Sequence, residues 1–88
     1  MLEEEFNQLD INSLEKYENK MLDKVSSNVV KYRKKKGYSQ SQLSKAIGYK
    51  SAAYLGKAEL RKDNHHFNIK QIAKISKVLE IDINSFFK

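Results

Sequence analysis

The run from Ser39 to Glu59, SQSQLSKAIGYKSAAYLGKAE, constrains this chain more than any other stretch. Ser39 stands in position to cap a helix, and Gln42 follows it at capping-box spacing. Between Gln40 and Ile47, the apolar Leu43, Ala46 and Ile47 fall on one helical face. Gly48 comes where that helix should stop, because glycine takes the left-handed backbone of a helix C-terminus without steric cost. Ser51 is placed to cap a second helix from Ala52 to about Glu59, whose Leu55 and Ala58 face back toward Leu43 and Ile47. The segment therefore reads as two short helices packed around a tight turn.

The rest of the chain supplies helices to pack against. Proline is absent and glycine occurs only three times, which suits a helical bundle. Leu2, Phe6, Leu9 and Ile11 are apolar without clear periodicity. After a cap at Asn12 or Ser13, Leu14, Tyr17, Met21, Val25, Val29 and Tyr32 recur at spacings of three and four. That stripe fits one long helix to Lys36 or two helices breaking near Val25–Ser27. Ser26, Ser27 and Asn28 weaken helicity there and favour the break. Lys34, Lys35 and Lys36 suit the negative end of a helix that stops at Gly37. Downstream, Asn68 and Gln71 repeat the capping-box spacing, and Ile69, Ile72, Ala73, Ile75 and Leu79 offer a buried face. Asp82 can cap a final turn ending in Phe86 and Phe87.

Charge is distributed unevenly. Residues 1–23 carry seven acids and two bases, a net −5, whereas residues 24–88 carry fifteen bases and four acids, a net +11. An acidic N-terminal extension, 1–23, thus precedes a basic body, 24–88. A basic body is the footprint of a nucleic-acid binder, and a lysine-rich solvated surface is the alternative source of the same charge. With no cysteine there is neither a disulfide framework nor a thiolate zinc site. No apolar run approaches a membrane span, and the acidic start lacks the basic residues of a signal peptide, so a cytoplasmic location is expected.

Short helix, glycine-containing turn and short helix make the helix-turn-helix arrangement, whose second helix can enter a DNA major groove. With its flanks, from about Lys24 to Phe87, the stretch resembles the lambda-repressor-like (Cro/Xre) helix-turn-helix family. The matching residues are Val25, Val29, Tyr32 and Arg33 on a preceding helix, then Gly37, Ser39, Gln40, Leu43 and Ser44. Ala46, Ile47, Gly48, Ser51, Leu55 and Glu59 follow, and Ile69, Ile72, Ala73, Val78, Leu79 and Ile81 look like the fourth helix and its exit. Phe86 and Phe87 look like the apolar pair of the fifth. The chain departs from the family in two places. Tyr49 and Lys50 share a turn position usually held by one residue, and Leu60 replaces a glycine that usually follows the glutamate.

The resemblance implies an all-α fold: a compact five-helix lambda-repressor-like helix-turn-helix domain over about residues 25–87, to which the Leu14–Tyr17–Met21 stripe adds an N-terminal helical segment over roughly Leu14–Leu22. Val29, Tyr32, Leu43, Ile47, Leu55, Ile72, Ile75, Leu79 and Phe86 should be mostly buried. The resemblance also implies that Glu59 pairs with Arg33 on helix one. The apolar face of the N-terminal segment should pack on the domain or on a second subunit, since a domain this small is marginally stable alone.

If the family register holds from Ser51, the groove-facing positions are Ala52, Ala53, Gly56 and Lys57, with Tyr54 beside the backbone. Alanine can touch only a thymine methyl, whereas lysine can donate to guanine. Close packing against protein is the competing explanation for Ala52, Ala53 and Gly56. Gln40, Lys50, Tyr54, Arg61 and Lys62 supply phosphate contacts on this reading, and each alone is also consistent with ordinary surface. The expected DNA-binding set is Gln40, Lys50, Ser51, Ala52, Ala53, Tyr54, Lys57 and Arg61. His65 and His66 are adjacent and do not converge naturally on a metal, so neither a metal nor a cofactor is expected. No residue arrangement points to an enzyme. The function expected is that of a DNA-binding transcriptional regulator, a repressor acting as a homodimer on double-stranded operator DNA. The alternative is a protein-interaction module or antitoxin-like partner, with a protein bound through the N-terminal extension.

Overall fold

The computed structural model of the chain describes residues 10–88, and all regular structure among them is helical. Helix α1 spans Ile11–Lys35, α2 Gln40–Ala46, α3 Ala53–Leu60 and α4 Ile69–Leu79. Two 3-10 segments, Lys62–Asn64 and Ile83–Phe87, follow α3 and α4 respectively. The apolar Leu2, Phe6 and Leu9 of the extension lie outside the described residues.

The first helix does not break near Val25–Ser27 but runs uninterrupted for 25 residues. The polar residues that weaken it locally are used in tertiary hydrogen bonds. Ser26 is buried and its hydroxyl donates to the Ala58 carbonyl at 2.8 Å, while Asn28 donates from its side chain to the Phe86 carbonyl at 2.8 Å. Its cap is Asp10 rather than Asn12 or Ser13: the Asp10 carboxylate accepts from the Ser13 amide at 2.7 Å. Gly37, at φ 79°, ends the run in a conformation open to glycine.

The C-terminal half of α1 is the spine of the domain, packed against α3, α4 and the closing 3-10 turn. Around it Val25, Val29, Leu43, Ile47, Leu55, Ala58, Phe67, Ile72, Ile75, Leu79 and Phe86 form one buried core. Burying a side chain of Val, Leu, Ile or Phe size stabilises by roughly 1.5–3 kcal/mol, so this cluster is the main source of cohesion. Tyr32 is only half-buried, with its ring edge-on to Phe86 at 5.5 Å. Phe67 joins the core from a stretch whose polar composition hides it.

Two helix faces are rotated from the expected ones. On α2, Ser44 is buried and Ala46 is exposed; on α4, Gln71 is buried while Ile69 and Ala73 are exposed. Packing of α2 against α3 and α4 selects a face centred on Leu43 and Ser44, packing of α4 against α1, α2 and the closing turn selects one centred on Ile72, Ile75 and Leu79, and residues outside those arcs are solvated whatever their polarity. The expected fifth helix is a 3-10 turn. Asp82 accepts from Asn84, two residues on, and Ser85 donates to the Asp82 carbonyl, a tight-turn pattern that still drives Phe86 into the core.

The N-terminal segment is helical, but its apolar stripe does not pack on this domain. Residues 11–20 are all exposed, Leu14 and Tyr17 among them, and only Met21 and Leu22 are partly covered. Among the described residues, no helix is long and apolar enough to cross a membrane.

Candidate nucleic-acid interface

Both capping boxes form. Ser39 accepts from the Gln42 amide and Gln42 from the Ser39 amide, and Asn68 and Gln71 do the same at the start of α4. Gly48, at φ 103°, turns the chain out of α2. Tyr49 and Lys50 then carry it into α3, which begins at Ala53, one residue later than expected. Ala52 occupies the cap position and provides no side-chain cap; the Ser51 hydroxyl lies 3.4 Å from the Ala53 amide. At the other end, Leu60 extends the helix and Arg61 takes the left-handed conformation, φ 56°, that the missing glycine would have supplied.

The C-terminal half of α3 is held from inside. Arg33 Nε donates to Glu59 Oε2 at 2.7 Å and Nη2 to Oε1 at 3.1 Å, so the expected pair is present with fork-on-fork geometry. Gln40 Nε2 adds a bond to Glu59 Oε1 at 2.9 Å, and Arg33 Nη1 reaches the Tyr38 carbonyl at 2.9 Å. Three side chains from α1, α2 and α3 therefore lock at one point, with Arg33 and Glu59 both buried.

The exposed face of α3 carries Ala53, Lys57 and Leu60, with Gly56 half-buried between them. A Cβ built on Gly56 meets only the Gln40 side chain, at 3.5 Å, so close packing against protein does not explain the glycine. Leu60 is 77% exposed on this same face, a position sequence reasoning noted only as a missing glycine. Its helical spacing of seven from Ala53 and three from Lys57 is the signal that could have placed it.

The remaining expected positions divide in three. Lys50 and Ser51 are exposed in the turn, and Ala52 is half-buried beside them. Gln40 and Tyr54 are half-buried, with their polar groups turned inward: Gln40 to Glu59, and the Tyr54 hydroxyl to the His66 carbonyl at 2.7 Å. Arg61 is drawn away from the α3 face. Its Nε donates to Asp23 at 2.9 Å, Nη2 to Asn19 at 2.7 Å and Nη1 to the His65 carbonyl at 3.1 Å. The other two members of the expected set, Ala53 and Lys57, lie on the outward face of α3, and the Lys57 side chain makes no polar contact among the described residues.

Electrostatics on this side are one-signed. Between Ser39 and Lys62 the sole carboxylate in the sequence is Glu59, and it is buried against Arg33. Lys45, Lys50, Lys57 and Lys62 are all exposed. The ring nitrogens of His65 and His66 that face protein point at backbone carbonyls of Lys62 and Asn64. Among the described residues no group of three or more His, Asp and Glu side chains is arranged to hold a metal.

In comparison with known families, residues 29–86 match a helix-turn-helix family model. No curated protein and no solved structure matches the chain significantly. The matched segment runs from the middle of α1 through the closing turn, and so contains the whole α2–turn–α3 unit. A domain of this kind implies a DNA partner and a role in transcriptional regulation, and the family is typically non-enzymatic. The chain belongs to the Cro/Xre-type helix-turn-helix family.

Proposed function

We propose that the chain is a sequence-specific transcriptional regulator, a repressor, that lays the exposed face of α3 in the major groove of operator DNA as a homodimer. The observation that carries this reading is the charge on that side: between Ser39 and Lys62 the one carboxylate, Glu59, is buried in an ion pair, and the lysines of that stretch are exposed. Lys57, on the outward face of α3, is the base-reading cation, able to donate to guanine O6 and N7. Ala53 and Leu60 offer apolar contact to thymine methyls, and Lys50 with Lys62 meets phosphates at the two ends of the helix.

Two halves of an operator require two copies of α3, and a homodimer provides them. The exposed Ile11, Leu14 and Tyr17 of α1 are the apolar surface available for assembly. That same stripe favours the second reading, in which the extension binds a different protein. The test is selection of bound sequences from a random duplex pool, combined with the mass of the protein in solution. Recovery of a two-part motif by a dimer supports the regulator. Failure to enrich any sequence, together with a stoichiometric protein partner, supports the interaction module.

A further inference from the structure

Helix α3 is a poor helix on its own terms. It has eight residues, no side-chain cap and a glycine at its centre. Isolated helices of that length are unstable in water, and interior glycine weakens them further. Tertiary contacts must therefore hold it at both ends. Its C-terminal end has Arg33, Gln40 and Ser26, bonded to Glu59 and to the Ala58 carbonyl. Its N-terminal end, the end that leads into the groove, has Tyr54.

Tyr54 stacks on Tyr49 of the lengthened turn, with centroids 5.2 Å apart and planes 20° from parallel. Its hydroxyl donates to the His66 carbonyl and lies 3.3 Å from Gln71 Oε1. Gln71 Nε2 in turn donates to the Tyr49 hydroxyl, and Gln71 Oε1 accepts the Asn68 amide at 2.8 Å. Gln71 is buried, at 7% exposure, so its two amide groups depend on these partners. We propose that Tyr49, Tyr54 and Gln71 form a clamp that fixes the tilt of α3 against α4 and so sets base discrimination. The additional turn residue is thereby used rather than merely tolerated. The three are positioning residues: they act through α3 and not by reading bases. The discrimination part of this proposal rests on the DNA-binding reading above, whereas the tilt part does not.

The test compares the full chain with Tyr49→Phe and Tyr54→Phe, which keep the stacked rings and remove one hydroxyl each. Amide hydrogen exchange is followed at Gly56 and Lys57, whose bonds close the first turns of α3, with Val29 and Ile75 as controls. Exchange at Gly56 and Lys57 should quicken about two- to tenfold, the range expected for loss of one hydrogen bond, while the controls hold. Against a selected operator and a single-base variant of it, both changes should narrow the affinity ratio and leave binding to unrelated duplex unchanged. Unchanged exchange at both α3 amides, or equal quickening at the controls, overturns the clamp. An unchanged affinity ratio overturns its role in discrimination. If the unaltered chain binds no duplex, the functional reading fails, and exchange alone decides whether the clamp holds α3.

Discussion

Arg33 and Glu59 stand 26 positions apart in the chain and meet through two parallel hydrogen bonds, each side chain nearly removed from solvent. The pair ties the end of α3 to α1 and also removes the only negative charge from the α2–α3 face. Taking two charges out of water is costly, and the pair holds because Gln40 and the Tyr38 carbonyl satisfy further donors and acceptors. Breaking it is different from replacing it. Glu59→Ala should lower unfolding free energy by about 3–5 kcal/mol, since it leaves a buried guanidinium unpaired. The double variant Arg33→Met with Glu59→Leu should recover much of that loss in a urea titration. Additive losses in the double variant would show that the pair is not a coupled unit.

Ser44 is fully buried, and among the described residues its hydroxyl has no hydrogen-bond partner. An unsatisfied buried hydroxyl costs about 1–3 kcal/mol of desolvation, and alanine removes that cost at the same site with a small void. Ser44→Ala should therefore raise the urea midpoint with an unchanged slope. A lowered midpoint would mean that the hydroxyl does find a partner.

Gly56 should accept a methyl group. The nearest atom to a Cβ there is Gln40 Oε1 at 3.5 Å, an ordinary contact, and the backbone is helical without a positive φ. Gly56→Ala should stabilise the fold by roughly 0.5–1 kcal/mol through helix propensity. On the proposed reading face, the same methyl should weaken duplex binding. A rise in Tm with a fall in affinity is the expected pair of results; a rise in both would take Gly56 out of the interface.

Several ends and turns of this fold were legible in the sequence because they depend on local chemistry, whereas the Asp10 cap of α1, the uncapped start of α3 and the left-handed Arg61 were not. Ser39 with Gln42, Asn68 with Gln71, Gly37 and Gly48 all act within a few residues of themselves, and all do so in the structure. The Arg33–Glu59 pair was legible only through the family resemblance. What was illegible depends on partners distant in sequence. Ser26 and Asn28 argue for a break in α1 until Ala58 and Phe86 are present to receive their hydrogen bonds. Ala46 and Ala73 suit either side of a helix, so only the packing of α2 on α3 and α4, and of α4 on α1 and α2, decides that they face water. Within the candidate site, Lys57 was legible on α3 only through the family register counted from Ser51, whereas the turn of Arg61 toward Asp23 and Asn19 was not legible.

Asp10 titrates apart from the core. The Ser13 amide and side chain hold its carboxyl below its ordinary value, because they hydrogen-bond to the charged form. A lowered pKa in the folded state means that the cap's contribution is present above the unfolded pKa and is lost as pH falls through the folded one. Acidification through the carboxylate range should thus loosen the first turn of α1, seen at the Ser13 amide by NMR, before the core responds. A Ser13 amide that moves only with global unfolding would contradict this.

The most direct measurement of the central claim is a salt titration of binding to a selected operator and to its single-base variant, for the unaltered chain and for Lys57→Ala. Each phosphate contact should contribute about 0.9 to the slope of log K against log salt. The unaltered chain should prefer the operator, and Lys57→Ala should lose about 1–3 kcal/mol of that preference if the contact to guanine is bidentate, so that the two affinities converge. Equal discrimination before and after the change would remove Lys57 from the reading role, and absence of duplex binding at low salt would contradict the account as a whole.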